Sequence, residues 1–248
     1  MIDKDTAKEA LFRFLSLPLT TARPVLAEFA ALPGALTLSV GEHCNFVYVP
    51  GTREDRVLLV AHADTVWDGA DEDTAWQRVY LEGGVIRGEN RACGIGADDR
   101  AGCALLWLMR ESGHSLLILD GEELGRISAE YIKEAQPDLF RELNEHAYIL
   151  ELDRRQHENY KVYRLPVSRE FLSFIEEGTG YRLADNRSST DIVTLCHTVC
   201  GANLSVGYYD EHSEDERLVF SEWYHTLGVL SRLTAPPQRR FPLTETNG

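Results

Sequence analysis

The stretch VLLVAHAD, residues 57–64, decides the fold class, since a short run of aliphatic residues is typical of a strand covered on both faces. Three similar runs follow along the chain: HSLLILD at 114–120, AYILEL at 147–152 and TVCGANLSVG at 198–207. ADDRAGCALLWLMRESG at 97–113, with Gly113 as its stop, and GRISAEYIKEA at 125–135 lie between these runs and are predicted to form helices. The alternation predicts a three-layer α/β fold, in which a mostly parallel mixed sheet is flanked by helices.

Three further segments extend this pattern. DTAKEALFRFLS at 5–16 has helical spacing, while ALTLSV at 35–40 and CNFVYVP at 44–50 flank a GEH turn that is typical of a hairpin. DERLVFSEWYHTLGVLSRL at 215–233 is predicted to form the last long helix. With 248 residues, no internal repeat and no low-complexity segment, the chain is expected to form one domain over residues 1–248.

Composition limits the partners and the compartment. The net charge is −15 and lysines and arginines do not cluster, which argues against nucleic acid and anionic membranes as partners. No window reaches about 20 apolar residues, and the N-terminal stretch lacks an uninterrupted apolar segment, so neither a membrane span nor a signal peptide is predicted. Five scattered cysteines fit buried thiols in a reducing compartment, and we expect a cytoplasmic protein.

Side chains of the kinds that bind metal ions follow the apolar runs. They are His62, Asp98, Glu123, Asp153 and His212. Because the carboxyl ends of parallel strands meet at one edge of a sheet, we expect these side chains to converge there. Two imidazoles and three carboxylates suit a pair of divalent ions, and ligand sets of this kind accept Zn²⁺, Co²⁺ or Mn²⁺.

Two acidic residues beside these candidates are predicted to act in catalysis. Asp64, in the His-x-Asp pattern, can accept a hydrogen bond from His62 and so fix the orientation of its ring. Glu122 and Glu123 follow a strand together, so one of them can bind metal while the other faces the reacting water. Glu122 is therefore the candidate general base, which takes a proton from water and returns it to the leaving amine.

Each motif also has a simpler interpretation. The alternatives are a core histidine at 62, a helix N-cap at 98, a solvated loop at 122–123, an ion pair between Asp153 and the arginines that follow it, and an exposed turn at 212. All five motifs occur in order and each stands at the end of an apolar run, which favours a metal site over five separate coincidences.

Ser213 and Glu216 have the spacing of a capping box. The pair predicts that the last helix begins directly after His212, which would hold that imidazole rigidly. Tyr208 and Tyr209 precede it and are candidates for lining the site, where a phenol can stabilise an oxyanion; packing is the alternative for at least one of them.

At these residues the chain resembles the superfamily of co-catalytic di-zinc peptidases and deacylases. Its members include peptidase T, the carboxypeptidase G and desuccinylase group, and single-domain zinc aminopeptidases. VAHAD is similar to the His-x-Asp motif of the superfamily, GADDRAG to its bridging-Asp motif, DGEELG to its Glu-Glu motif and SVGYYDEHSEDE to its final-His motif. The likeness covers about residues 57–230.

The resemblance implies a zinc-exopeptidase-like fold and a role for each residue. Asp98 would bridge two zinc ions, with Asp99 as the alternative bridge, and the peptide bond after the bridging aspartate is often cis in such enzymes. The other ligands would divide between the two ions, with His62 and Asp153 at one and Glu123 and His212 at the other. Glu122 would be the general base and acid, and Asp64 would orient His62.

One departure from the family concerns domain organisation. Peptidase T and the carboxypeptidase-like members carry a second, dimerising domain between the fourth and fifth ligands. Here residues 154–211 fill that interval and are predicted to form strands and helices of the catalytic domain. A separate domain would need about 50 residues of its own. The resemblance is therefore to the catalytic domain alone, and an oligomer would not form through such an insertion.

The sequence thus predicts a metal-dependent hydrolase that cleaves an amide bond in a small substrate, either a peptide or an N-acyl amino acid. An aminopeptidase is the first interpretation, and an N-acyl amino acid deacylase or desuccinylase is the second. A non-catalytic metal-binding module is a third, although the ligand and base positions are all filled by competent residues.

Overall fold

The structure, a computed structural model, describes residues 2–185, 188–235 and 237–244. The helices among these residues are α1 (Lys4–Leu15), α2 (Arg23–Ala30), α3 (Ala97–Met109), α4 (Ile127–Ala135), α5 (Pro137–Leu143), α6 (Arg169–Thr179), α7 (Asp191–Leu195) and α8 (Phe220–Leu233). The strands are β1 (Leu36–Ser39), β2 (Asn45–Val49), β3 (Leu58–His62), β4 (Val79–Glu82), β5 (Val85–Gly88), β6 (Ser115–Leu119), β7 (Ile149–Arg154), β8 (Asn159–Lys161), β9 (Arg182–Leu183), β10 (Gly201–Ser205), β11 (Tyr208–Tyr209) and β12 (Arg217–Val219).

A mixed eight-stranded sheet forms the centre of the fold, with the strand order β1-β2-β6-β3-β7-β10-β8-β9. The four middle strands, β6, β3, β7 and β10, run parallel. The predicted hairpin of β1 and β2 pairs antiparallel with β6 on one side, and β8 pairs antiparallel with β10 on the other. The predicted α/β fold with a mixed sheet flanked by helices is confirmed.

Side chains of the central strands alternate between two apolar layers. In β3, Leu59 and Ala61 pack into one layer, and Leu58 and Val60 pack into the other. The first layer includes α1, α2, α3, α6 and α8, and the second includes α4, α5 and α7. Both faces of the strand are therefore covered, which explains why its sequence is a continuous run of aliphatic residues.

The segment before α8 differs from the sequence prediction. Residues 217–219 form β12 in a second sheet with the order β11-β12-β5-β4, and the helix begins only at Phe220. Ser213 and Glu216 lie outside the helix, so the capping-box prediction is wrong. Leu218 is buried and pairs with Ile86 of β5, and this tertiary pairing overrides the local helical spacing.

The parallel strands also decide where the candidate ligands lie. The carboxyl ends of β3, β6 and β7 open at the same edge of the sheet, which is where open α/β sheets place their sites.

Within the described ranges, no helix is both long enough and apolar enough to cross a bilayer.

Candidate active site

The predicted ligands come from separate segments and meet at this edge of the sheet. They are His62 at the end of β3, Asp98 in the first turn of α3, Glu123 after β6, Asp153 near the end of β7 and His212 between β11 and β12. Their ligand atoms form two groups, one of His62, Asp98 and Asp153 and one of Asp98, Glu123 and His212, and the atoms of each group lie within 4.8 Å of one another. The structure thus brings all five side chains together, and Asp98 belongs to both groups.

The carboxylate of Asp98 stands between the two imidazoles. Its Oδ1 lies 3.1 Å from Nε2 of His62, and its Oδ2 lies 3.2 Å from Nε2 of His212. Asp153 Oδ1 approaches the same nitrogen of His62 at 3.4 Å, and Glu123 Oε1 approaches the same nitrogen of His212 at 3.0 Å. One oxygen directed to each side is the arrangement that a bridging carboxylate needs.

Asp99 has a different environment. Its Oδ1 accepts a hydrogen bond from the backbone N–H of Gly102 at 2.9 Å, and its Oδ2 accepts one from the backbone N–H of His62 at 3.2 Å. A Cβ at Gly102 would collide with the Asp99 carboxylate, so the close approach requires glycine. The N-cap alternative therefore applies to Asp99, and Asp98 is left to face the imidazoles. The peptide bond between the two aspartates is cis, as the resemblance implies.

Asp64 contacts both His62 and the turn that carries Glu122 and Glu123. Its Oδ1 lies 3.3 Å from Nδ1 of His62, the ring nitrogen that faces away from Asp98. The same carboxylate accepts hydrogen bonds from the backbone N–H groups of Glu122 and Glu123, at 3.3 and 3.1 Å. Burial opposes ionisation of Asp64, but His62 and the Glu123 N–H hold the pKa of this carboxyl below its usual value. Asp64 therefore positions both the ring of His62 and the turn that carries Glu122.

Glu122 lines the cavity beside the candidate ligands. Burial raises the pKa of Glu122 to about 9; the negative charges of Asp153, Asp191 and Glu123 add to this effect and His62 opposes it. A carboxyl group with this pKa holds its proton at neutral pH. A cation at the neighbouring ligands would lower the pKa and allow Glu122 to accept a proton and return it.

The negative charge of the site also raises the pKa of both imidazoles. Asp98 and Glu123 raise the pKa of His212 to about 11, although burial opposes them. Burial also opposes protonation of His62, but Asp153, Asp64 and Asp98 raise its pKa well above the usual value. The site thus stabilises positive charge at the point where nitrogen and carboxylate oxygen ligands converge. This donor set and this charge fit divalent ions of the zinc class.

Polar neighbours hold Asp153. Thr190 Oγ1 donates a hydrogen bond to Oδ2 of Asp153 at 2.8 Å, and the Tyr208 hydroxyl donates one to Oδ1 at 3.1 Å. Its backbone N–H donates to Oδ1 of Asn203 at 3.0 Å. The two arginines that follow Asp153 bond to other side chains, so the ion-pair alternative does not apply. The contacts of Thr190 and Asn203 with Asp153 were not predicted, because they depend on the packing of β7 against β10 and α7.

Glu216 supports the segment that carries Asp98, and it was not among the predicted site residues. Its Oε2 accepts a hydrogen bond from the N–H of Gly96 at 2.7 Å, and its Oε1 accepts one from the N–H of Asp98 at 3.0 Å. Burial raises the pKa of Glu216 to about 8; the charge of Asp98 adds to the rise, and the N–H donors oppose it. No local sequence signal could have revealed this contact, because it joins residues 118 positions apart.

A cavity of about 230 Å³ opens over the candidate ligands. Its wall also contains Arg154, Arg155, Lys161 and the segment 188–190. Tyr208 belongs to this wall, whereas the hydroxyl of Tyr209 donates to Glu222 at 2.8 Å, as the packing alternative predicts. A small cavity that combines carboxylates with cationic side chains fits a small charged substrate better than a long polymer.

No protein-family model and no curated protein sequence matches this chain. Several solved structures share its fold. The aminopeptidase PepT from Bacillus cereus superposes with a TM-score of 0.71 at 13% identity, over 94% of this chain and 98% of that chain. A tripeptidase from Staphylococcus aureus has a TM-score of 0.68 at 13% identity, over 94% of this chain and 98% of that chain. The TET1 peptidase from Pyrococcus horikoshii has a TM-score of 0.65 at 12% identity, over 93% and 100%. The chain therefore has the fold of these peptidases.

Proposed function

We propose that this protein is a metal-dependent hydrolase that cleaves an amide bond in small peptides, as an aminopeptidase does. The observation that carries the proposal is the Asp98 carboxylate, which directs one oxygen toward His62 and the other toward His212. The fold that the chain shares with an aminopeptidase and a tripeptidase supports the same reaction class.

Two divalent ions are the proposed cofactors, with Zn²⁺ as the first choice and Co²⁺ or Mn²⁺ as alternatives. One would be held by His62, Asp98 and Asp153, and the other by Asp98, Glu123 and His212. When bound, such ions lower the pKa of water and polarise the scissile carbonyl.

Glu122 is the proposed general base and acid. It lines the same cavity as the candidate ligands, and its raised pKa favours return of the proton to the leaving nitrogen. Asp64 is the proposed positioning residue, since it contacts His62 and the backbone of both glutamates. Tyr208 donates to Asp153 and would keep that carboxylate directed toward His62.

We also infer a single catalytic domain over residues 1–248 without an inserted lid. Within the interval 154–211, the described residues form strands and helices that pack on the central sheet, namely β8, α6, β9, α7 and β10. The proposed partner is a small peptide or N-acyl amino acid in the cytoplasm, with no role for nucleic acid or a membrane. An oligomer is compatible with this proposal, but it would form through a surface other than a lid domain.

A deacylase or desuccinylase that acts on N-acyl amino acids is the second candidate. The observation that favours it is the cationic wall of the cavity, where Arg154, Arg155 and Lys161 lie near the candidate ligands. Such side chains suit a substrate that carries a carboxylate close to the scissile bond.

The test is a panel of aminoacyl and N-acyl substrates, assayed with the metal-free protein and again after Zn²⁺, Co²⁺ or Mn²⁺ is added back. An aminopeptidase is expected to cleave substrates with a free α-amine and to ignore their N-acetyl counterparts. Turnover of N-succinyl or N-acetyl amino acids alone would favour the deacylase. Metal binding without turnover of any substrate in the panel would favour the non-catalytic module.

A further inference from the structure

A second set of metal-binding side chains lies beside the candidate active site. His43 in the β1–β2 turn, Asp68 in the loop after β3, and Asp120 directly after β6 bring ligand atoms within 4.8 Å of one another. Because β2 runs antiparallel to β6, the hairpin turn reaches the same sheet edge as the carboxyl end of β6. None of these three residues belongs to the two groups around Asp98.

Asp120, the most buried residue of this cluster, has one unsatisfied oxygen. The side chain is only 2% exposed. Asn45 Nδ2 donates to Oδ2 at 2.5 Å, whereas Oδ1 has no hydrogen-bond partner among the described residues. Burial raises the pKa of Asp120 to about 6, and the charges of Asp64 and Asp68 add to the rise. A buried carboxylate oxygen without a donor is costly unless a cation or another donor reaches it.

His43 contributes a second unsatisfied atom among the side chains of the cluster. Its Nδ1 is buried and likewise has no hydrogen-bond partner in the part of the chain that the structure describes. The turn that carries it packs tightly on the chain after Asp120, since a Cβ at Gly121 would collide with the His43 carbonyl. Ligand atoms around a tetrahedral zinc-class ion lie about 3.4 Å apart, so closing the cluster needs only a small movement of this half-buried turn.

A buried guanidinium close to the cluster does not fill it. Arg100 Nη2 donates to two backbone carbonyls between α1 and α2, at 3.0 and 3.2 Å. Burial lowers the pKa of the Arg100 guanidinium, and the negative charges of Asp64, Asp68 and Asp120 oppose this effect. Its Nε and Nη1 are buried and have no hydrogen-bond partner among the described residues, so no hydrogen bond joins Arg100 to the three residues of the cluster.

The geometry points to a third cation site, formed by His43, Asp68 and Asp120, for a divalent ion of the zinc, cobalt and manganese class. One imidazole with two carboxylates is a ligand set that this class accepts. The ion would join the hairpin turn to the chain that leads from Asp120 into Glu122 and Glu123. It would act as a structural brace, and the inference does not depend on the proposed function.

The test is the number of Zn²⁺ ions bound per chain. The full chain is stripped with a chelator and brought to equilibrium by dialysis against a fixed micromolar concentration of free Zn²⁺, and zinc and protein are then measured by elemental analysis. We expect three ions in the wild type and two in His43→Ala and in Asp120→Asn. His225→Ala is the matched control, because His225 is an exposed histidine on α8 and should leave three.

Different results separate this inference from the proposed function. Two ions in both the wild type and His43→Ala would overturn the third site and leave the proposed function standing. A wild type with one ion that His43→Ala removes would support the third site and count against the active-site pair. The half-buried position of His43 in a turn makes its variant the safer of the two for folding, and circular dichroism checks both.

Discussion

The carboxylate of Glu216 accepts a hydrogen bond from the backbone N–H of Asp98 at 3.0 Å, although the two residues lie 118 positions apart in the chain. Its other oxygen accepts the N–H of Gly96 at 2.7 Å. The loop before β12, which also carries His212, is thereby tied to the segment that carries Asp98. The spacing between these two candidate ligands depends on a carboxylate that contacts neither of the proposed ions.

Glu216→Gln is expected to weaken Zn²⁺ binding by about 10- to 100-fold, because the amide presents a donor where an N–H needs an acceptor. The loss of one buried hydrogen bond should also lower the free energy of unfolding by about 1–3 kcal/mol. A competition titration against a chromophoric chelator measures the first effect, and urea unfolding measures the second.

The matched control for this variant is Glu214→Gln, which removes a charge from an exposed side chain of the same segment. It should bind zinc as the wild type does. Equal zinc affinity in Glu216→Gln and Glu214→Gln would contradict the supporting role of Glu216.

The two adjacent aspartates are expected to respond differently to the same substitution. Asp98→Asn should reduce zinc at both active-site positions, because its two oxygens face both imidazoles. Asp99→Asn keeps an acceptor for the Gly102 N–H but loses the bond to the His62 N–H, so it should bind zinc and lose about 1–3 kcal/mol of stability. Metal analysis and urea unfolding of the pair distinguish the roles. The reverse pattern would move the bridging role to Asp99.

Glu122→Gln is expected to retain the metal content of the wild type while turnover falls by about 10³-fold, since the amide cannot accept the proton from water. The measurement is kcat on the best substrate of the panel, together with metal analysis of the same sample. Exposed Glu134 on α4 provides the control variant Glu134→Gln, which should keep full turnover. Wild-type turnover in Glu122→Gln would remove it from the role of general base.

His146 is expected to make the fold sensitive to acid. Burial lowers the pKa of His146 to about 4, with a further contribution from Arg56, and its Nε2 lies 2.7 Å from Ser115 Oγ. In the unfolded chain His146 takes up a proton near pH 6.5, whereas in the folded protein it stays neutral until about pH 4. The free energy of unfolding is therefore unaffected by His146 above pH 6.5 and falls by about 3 kcal/mol as the pH drops from 6.5 to 4.

Urea unfolding of the metal-free protein between pH 7.5 and 4.5 tests this expectation. His146→Gln should be less stable at neutral pH but should show a shallower decline in acid. His197→Gln, at an exposed histidine, should keep the wild-type slope. Parallel curves for the wild type and His146→Gln would rule out the assignment.

The elements that could be predicted are those with a strong local signal. VLLVAH became β3, the hairpin of β1 and β2 formed at the GEH turn, and the helix at the N-terminus is α1. Burial of both faces requires aliphatic residues throughout β3, and a tight turn favours particular residues between β1 and β2. The spacing of helices and parallel strands was enough to place five polar side chains at one sheet edge.

The elements that could not be predicted depend on partners far away in the chain. Residues 213–219 match a helix start locally, yet Leu218 pairs with Ile86 and Glu216 turns toward Asp98. Asp98 and Asp99 are chemically identical, and only the positions of His62, His212 and Gly102 separate their roles. His43 stands in a turn without any motif, and only the antiparallel pairing of β2 with β6 brings it to Asp120.

The sequence by itself determined the α/β class and the set of ligand-type residues, because hydrophobic periodicity and side-chain chemistry are local properties of the chain. The sequence left Asp99 as an alternative to Asp98, and the tertiary structure decided that Asp98 faces both imidazoles and that Asp64 also contacts the Glu122–Glu123 turn. It also decided that Glu216 supports the site. Each of these outcomes depends on hydrogen bonds and burial between segments that only the folded sheet brings within a few ångströms.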